Sequence, residues 1–230
     1  MTGSSPFTSA LRRAAAPAGL IGLLGLLLGL LVVPGSVAAQ NGSGVLEEVQ
    51  ERYDTVTSME AAFTQTVTSP FRDDTTRLEG RLLVRGEMYR IETVEQTLIT
   101  DGSTSWIYTP ADSQVVVNDA ASSKMALSPE TFFTDYAARY RVDSLRPAGP
   151  SADAEQILAL TPSSPDAAFG SITLWVRPDR VISRLQVTDS GGSTITIRLR
   201  TIRLNPTLAR ERFSFEPPPN VEVIDLRTGE

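Results

Sequence analysis

The sequence predicts a mainly β domain of the α+β class: one large antiparallel sheet, with a helix before it and a short helical insertion in its middle. Three observations predict this. Val45, Leu46, Val49, Tyr53 and Val56 recur at helical spacing opposite Glu47, Glu48, Gln50, Glu51 and Arg52. From Met59 onward the period changes to two and stays there, interrupted by turn residues at short intervals. Between Ala120 and Ala138 the alternation stops, and Ser128-Pro129-Glu130 reads as a helix start, Ser capping and Pro in the first turn.

Each element follows from its local pattern. Gln40–Gly44 is a polar Gly/Ser stretch that reads as a linker into the first helix. Met59, Ala61, Phe63, Gln65 and Val67 then alternate with Glu60, Ala62, Thr64, Thr66 and Thr68. Strands follow at Leu78–Arg85 and Met88–Val94, joined through Gly86. Asp101-Gly102 turns Leu98–Thr100 into Ser105–Thr109, and Gln114–Asn118 continues the meander. After the insertion, strands are predicted at Tyr140–Leu145, Gln156–Thr161, Ser171–Val176, Ile182–Thr188 and Ser193–Leu204, the last two joined at Gly191-Gly192. Phe213–Glu216 alternates once more before Pro217-Pro218-Pro219 stops it. A sheet of roughly ten strands curls toward a barrel or sandwich.

The first 39 of the 230 residues read as a secretory signal peptide. Arg12 and Arg13 precede an apolar run, Leu20–Val33, and Val37-Ala38-Ala39 puts small residues at the cleavage position. The competing reading is a retained anchor, since the 20 residues Ala14–Val33 are uncharged. Residues 40–230 then form one exported domain, expected as a monomer. They carry 19 basic and 27 acidic residues, a net charge of about −8, which sets aside nucleic acid and anionic membranes as partners. With neither Cys nor His in the chain, disulfides, thiol chemistry, Ser-His-Asp triads and His-ligated metals are excluded. No cofactor is expected, and a pair of carboxylates is the main catalytic scheme left.

Trp106 and Tyr108 alternate with Ile107, so both faces of that strand are apolar. Local pattern alone makes them core residues and points Arg85, at a strand end, to solvent.

Several pieces together resemble the periplasmic outer-membrane lipoprotein carrier family, the LolA type. They are Phe63-Thr64-Gln65; Gly80 and Arg85 through Tyr89; Thr100-Asp101-Gly102 with Trp106-Ile107-Tyr108-Thr109-Pro110; and Phe213-Ser214-Phe215 with Pro217-Pro218 and Val221-Glu222-Val223. The resemblance implies an incomplete, strongly curved antiparallel β-barrel, with the helices as a lid over an apolar cavity. It implies a non-enzymatic chaperone. Such a protein takes acylated lipoproteins from an inner-membrane ATP-driven release complex, shields their acyl chains, and delivers them to the outer membrane, there to a receptor. The acyl-chain cavity it implies is lined by Tyr89, Ile91, Leu98, Trp106, Tyr108, Met125, Leu127, Phe132 and Phe133. Later strands add Leu174, Val176, Leu185, Val187, Ile197 and Leu199, faces being assigned by alternation. Arg85 best matches a family Arg that latches the lid by hydrogen bonds to helix backbone. The chain departs from the family here: Gly86 stands where Pro is usual, and the strand from Gly80 is one residue short.

Two other readings stand beside this one. A membrane-anchored periplasmic sensor domain of related fold would bind lipid or a partner protein. A secreted hydrolase would use two carboxylates, with Asp101 and Glu92 as candidates.

Overall fold

A helical period followed by period-two alternation gives one helix and one sheet. The structure, a computed structural model, describes residues 36–71, 75–123, 139–151, 153–164 and 169–227, all within a unit spanning Pro34–Glu230. Residues 1–35 of the expected signal peptide and the insertion residues Met125, Leu127, Phe132 and Phe133 lie outside the described residues.

The helix α1 is Ser36–Asp54. It begins earlier than its apolar stripe, so Gln40–Gly44 is helical and not a linker. The reason is packing: Gly42 is buried, and a Cβ there would lie 2.5 Å from Val142 Cγ1. Glycine at this point lets the helix backbone approach the sheet closely.

The strands are β1 Ser58–Thr68, β2 Thr75–Arg85, β3 Met88–Thr93, β4 Thr97–Thr100, β5 Thr104–Thr109 and β6 Gln114–Asp119. After the insertion come β7 Tyr140–Pro147, β8 Gln156–Pro162, β9 Ser171–Val176, β10 Ile182–Thr188, β11 Thr194–Leu204 and β12 Glu222–Asp225. They form one open, strongly curved sheet of 12 strands in the order β12-β6-β5-β4-β3-β2-β1-β11-β10-β9-β8-β7. All neighbours are antiparallel except β12 and β6. Two expectations are corrected at the C-terminus. Arg210–Phe213 is a 3-10 turn and not the start of a strand. The three prolines do not end the sheet either, because β12 follows them and pairs with β6.

Directly paired residues share a face, so the register defines two faces. On the first, Val45 and Val49 of α1 pack on Val142, Leu158, Leu160, Ile172, Leu174, Val176 and Val187. We call this the helix face. The Tyr53 hydroxyl accepts a hydrogen bond from the Ile182 backbone N–H at 3.2 Å, and burial pushes its pKa up to about 12. On the opposite face the chain after β11 crosses β2–β5 as a strap. Asn205, at φ 56°, starts it: its Oδ1 accepts the Thr57 N–H at 2.8 Å, and its own N–H donates to the Ser58 carbonyl at 2.8 Å. Leu208 and Phe213 of the strap then bury against Leu83 and Met88. The sheet thus has a helix over one half of one face and a strap over the other half of the other.

Two glycines of α1 give a test by their opposite environments. Gly42→Ala forces a methyl group into Val142 and is expected to cost about 1–3 kcal/mol. Gly44 has nothing within 4 Å of its Cβ position, so Gly44→Ala is expected to stabilise by about 0.5–1 kcal/mol. Urea denaturation of the two variants measures both signs.

Candidate functional site

On the helix face, α1 leaves β2–β6 aside. One ladder of directly opposed residues runs Ala61, Leu82, Ile91, Leu98, Ile107, Val116 and Ile224 across seven strands. At about 4.8 Å per strand, this apolar row is about 29 Å long. One leaflet of bilayer hydrocarbon is about 15 Å thick, so the row is long enough for an extended acyl chain. Ile91, Leu98, Ile107, Val116 and Ile224 are only partly buried. Tyr89 stands on the same face, opposite Val84 and Thr100, and its burial raises the phenol pKa. Near β1 the row meets Phe63, Met59, Ile197 and Leu199. Phe63 lies opposite Gly80, where a Cβ would sit 2.6 Å from Phe63 Cζ. The glycine therefore makes room for the aromatic ring on its own strand.

The remaining predicted residues divide in three. Leu174, Val176 and Val187 are on the helix face but fully covered, in the core beneath α1. Leu185 is partly buried beside that core, while Ile197 and Leu199 face Phe63. Trp106 and Tyr108 are on the other face. Trp106 is opposite Ile99 and Val117, and Tyr108 stacks on Phe215 of the strap with ring centroids 5.5 Å apart. The expectation that Trp106 and Tyr108 share a cavity wall with Tyr89, Ile91 and Leu98 is corrected by this register. Ile107 is the residue of that strand that shares their face. A sequence signal for it existed in the same alternation, but nothing local told which side was which.

The family profile described as "Outer membrane lipoprotein carrier protein LolA" matches residues 54–216. The chain belongs to this family. An outer-membrane lipoprotein carrier protein of Chromobacterium violaceum is 31% identical over 171 residues, 73% of this chain and 81% of that protein. One of Edwardsiella ictaluri is 28% identical over 210 residues, 88% of this chain and 98% of that protein. Among solved structures, a LolA superfamily protein from Nitrosomonas europaea aligns at TM-score 0.40 and 14% identity, covering 78% of this chain and 99% of that one.

Arg85 differs from the latch that this family suggests. It stands opposite Ser58 and Met88, on the strap face, and its Nη1 donates to the Leu208 carbonyl at 2.7 Å. Arg90 Nη1 donates to the Arg212 carbonyl at 3.4 Å. Register puts the arginine on the side of the sheet away from α1, so here it holds the strap. The Pro-to-Gly change fits the same turn: Gly86 has φ 56°, which proline cannot adopt.

The candidate acids have structural partners. Asp101 Oδ1 accepts the Ser103 and Thr104 N–H groups at 2.9 and 2.8 Å. Burial works to raise its pKa, but these bonds and the Ser103 hydroxyl hold it below the usual range. Glu92 pairs with Arg90 at 2.6 Å. A cleft of about 280 Å³ at the β1–β11 bulge is lined by Glu60, Arg81, Thr201 and Arg203. Its charges pair internally: Glu60 binds Arg81 and Arg203, and the Arg81 hydrogen bond lowers the Glu60 pKa. Among the described residues no cluster of three or more acids has metal-site geometry.

Arg85→Leu removes a charged hydrogen bond at an exposed position, worth about 1 kcal/mol. Hydrogen exchange of the Leu208–Phe213 amides is expected to quicken about fivefold, with strand β8 and β9 amides unchanged; mass spectrometry of exchange reads this directly.

Proposed function

We propose that this protein carries acylated lipoproteins across the periplasm and holds their acyl chains on the helix face of β2–β6. The observation that carries the reading is the partly buried apolar ladder Ile91–Leu98–Ile107–Val116, in a chain of the lipoprotein carrier family. Each buried CH₂ is worth about 0.8 kcal/mol, so free acyl chains do not cross water unaided. An apolar strand surface supplies that burial without covalent chemistry, and the carrier acts as a binding protein rather than an enzyme. Cargo enters from an inner-membrane ATP-driven release complex and leaves to an outer-membrane receptor that binds lipid better. The working chain starts at Gln40, after removal of the signal peptide 1–39, and acts as a monomer. Tyr89, Ile91 and Leu98 keep their proposed place in the site; Ile107 and Val116 replace Trp106 and Tyr108. Ile197, Leu199 and Leu185 extend it toward α1. Leu174, Val176 and Val187 join only if α1 lifts, which makes the helix the second state a carrier needs for loading and release.

Native mass spectrometry with a triacylated lipoprotein tests this. A one-to-one complex is expected, lost on enzymatic deacylation. Ile107→Glu places a charge in the ladder and is expected to weaken the complex at least about tenfold. Trp106→Leu is expected to lower stability while leaving cargo affinity within about twofold. A complex that survives deacylation, or a folded Ile107→Glu variant that binds as the parent does, overturns the reading.

A further inference from the structure

The strap covers its face only over β2–β6. Over β7–β11 the same face carries neither helix nor strap among the described residues. Register places Arg141 and Arg146 of β7, Arg184 of β10, and Arg198 and Arg200 of β11 there. The other paired positions on this face of β7–β11 are Ser, Thr, Gln, Ala and Ile, with Trp175 near the centre. None of these is a carboxylate; Asp143, the one acid within these strands, is exposed and unpaired at the β7 bulge, two residues from Arg141. In a chain with 27 acidic residues and a net charge of −6, this segregation by face is unexpected.

The arginines are poorly neutralised. Arg141, Arg146 and Arg198 are exposed and have no ion pair among the described residues. Arg200 has a long pairing with Glu79, at 3.5 Å. Arg184 sits over the Trp175 ring, its Cζ 4.5 Å from the centroid, and its Nε is buried without a hydrogen-bond acceptor among the described residues. Arg198 lies directly opposite Arg184 on the neighbouring strand. Like charges so placed destabilise a sheet. Burial lowers the Arg184 pKa, and Arg198 pushes it the same way against Glu155. An anion lying on this face relieves that repulsion.

We propose that the uncovered face of β7–β11 docks the protein on an anionic phospholipid surface. The five arginines spread over strands spanning about 19 Å and do not converge on one point, which fits repeated phosphates on a plane better than a single small anion. Arginine binds phosphate in a bidentate fork, and the threonine hydroxyls add donors. The acidic remainder of the surface turns this face, and no other, toward the membrane. Net charge had set anionic membranes aside; the charge distribution brings them back for one face. The proposal does not rest on the acyl-chain reading, and either can fail alone.

Sedimentation with equimolar phosphatidylcholine–phosphatidylglycerol vesicles, against pure phosphatidylcholine vesicles, tests it on the full chain, so that contributions from the apolar N-terminal segment cancel. Binding is expected to be stronger to the phosphatidylglycerol vesicles, and this excess is expected only at low salt. The Arg146→Gln/Arg198→Gln variant is expected to bind about 25-fold more weakly, while Arg210→Gln/Arg212→Gln, a charge-matched change on the strap, binds as the parent does. Equal loss in the strap variant, or no loss in the Arg146→Gln/Arg198→Gln variant, overturns the proposal. So does a parent that ignores the vesicles but binds polyglutamate through Arg146 and Arg198, which assigns the face to an acidic protein instead.

Discussion

A single open sheet of 12 strands has two faces, and among the described residues this chain has one helix and one strap to cover them. Everything else depends on how that cover is divided. Helix α1 closes the helix face over β7–β10, where Val49, Leu158, Ile172, Leu174 and Val176 reach full burial. The strap closes the other face over β2–β6, where Leu83, Ile99, Val115 and Phe213 do so. Each half of the sheet therefore has a closed core on one side and leaves its other side to something else. On β2–β6 that remaining side is apolar, and on β7–β11 it is cationic.

The division suits a carrier. A binding surface must not be the whole of the stability core, or emptying it would unfold the protein. Here the strap side of β2–β6 supplies burial for the same strands whose helix side forms the apolar ladder. On the proposed reading, cargo supplies the burial that the ladder lacks from protein, at about 25 cal/mol per Å² of apolar area removed from water. The sheet does not have to rearrange to provide it. Arg85 and Arg90, which fasten the strap by hydrogen bonds to the Leu208 and Arg212 carbonyls, support the site from behind.

Much of the fold was legible in alternation and turn residues, because those are local. The strands from Met59 to Leu204 fall close to their predicted places. The misreadings all concern non-local information. Trp106-Ile107-Tyr108 is apolar on both sides, and only pairing with β4 and β6 tells which side meets the strap. Gln40–Gly44 has a linker's composition, but its Gly42 serves close packing against Val142. Strand β12 follows three prolines and pairs in parallel with a strand about a hundred residues earlier, which no local pattern reveals. Arg85 resembles the family's latch by motif, but the register of β2 with β1 and β3 puts it on the strap face. Net charge, likewise, averages over faces that the sheet separates.

The central claim is that the helix face of β2–β6, and not the strap face, meets the acyl chains. Site-specific photocrosslinking tests it most directly. A photoreactive residue is placed at Ile107 or at Trp106, neighbours in sequence that stand on opposite faces, and the protein is loaded with a triacylated lipoprotein and irradiated. Crosslinks from position 107 to the cargo's acyl chains, with position 106 reacting only within the protein, are the predicted result. Crosslinks to cargo from position 106 and none from 107 would contradict it.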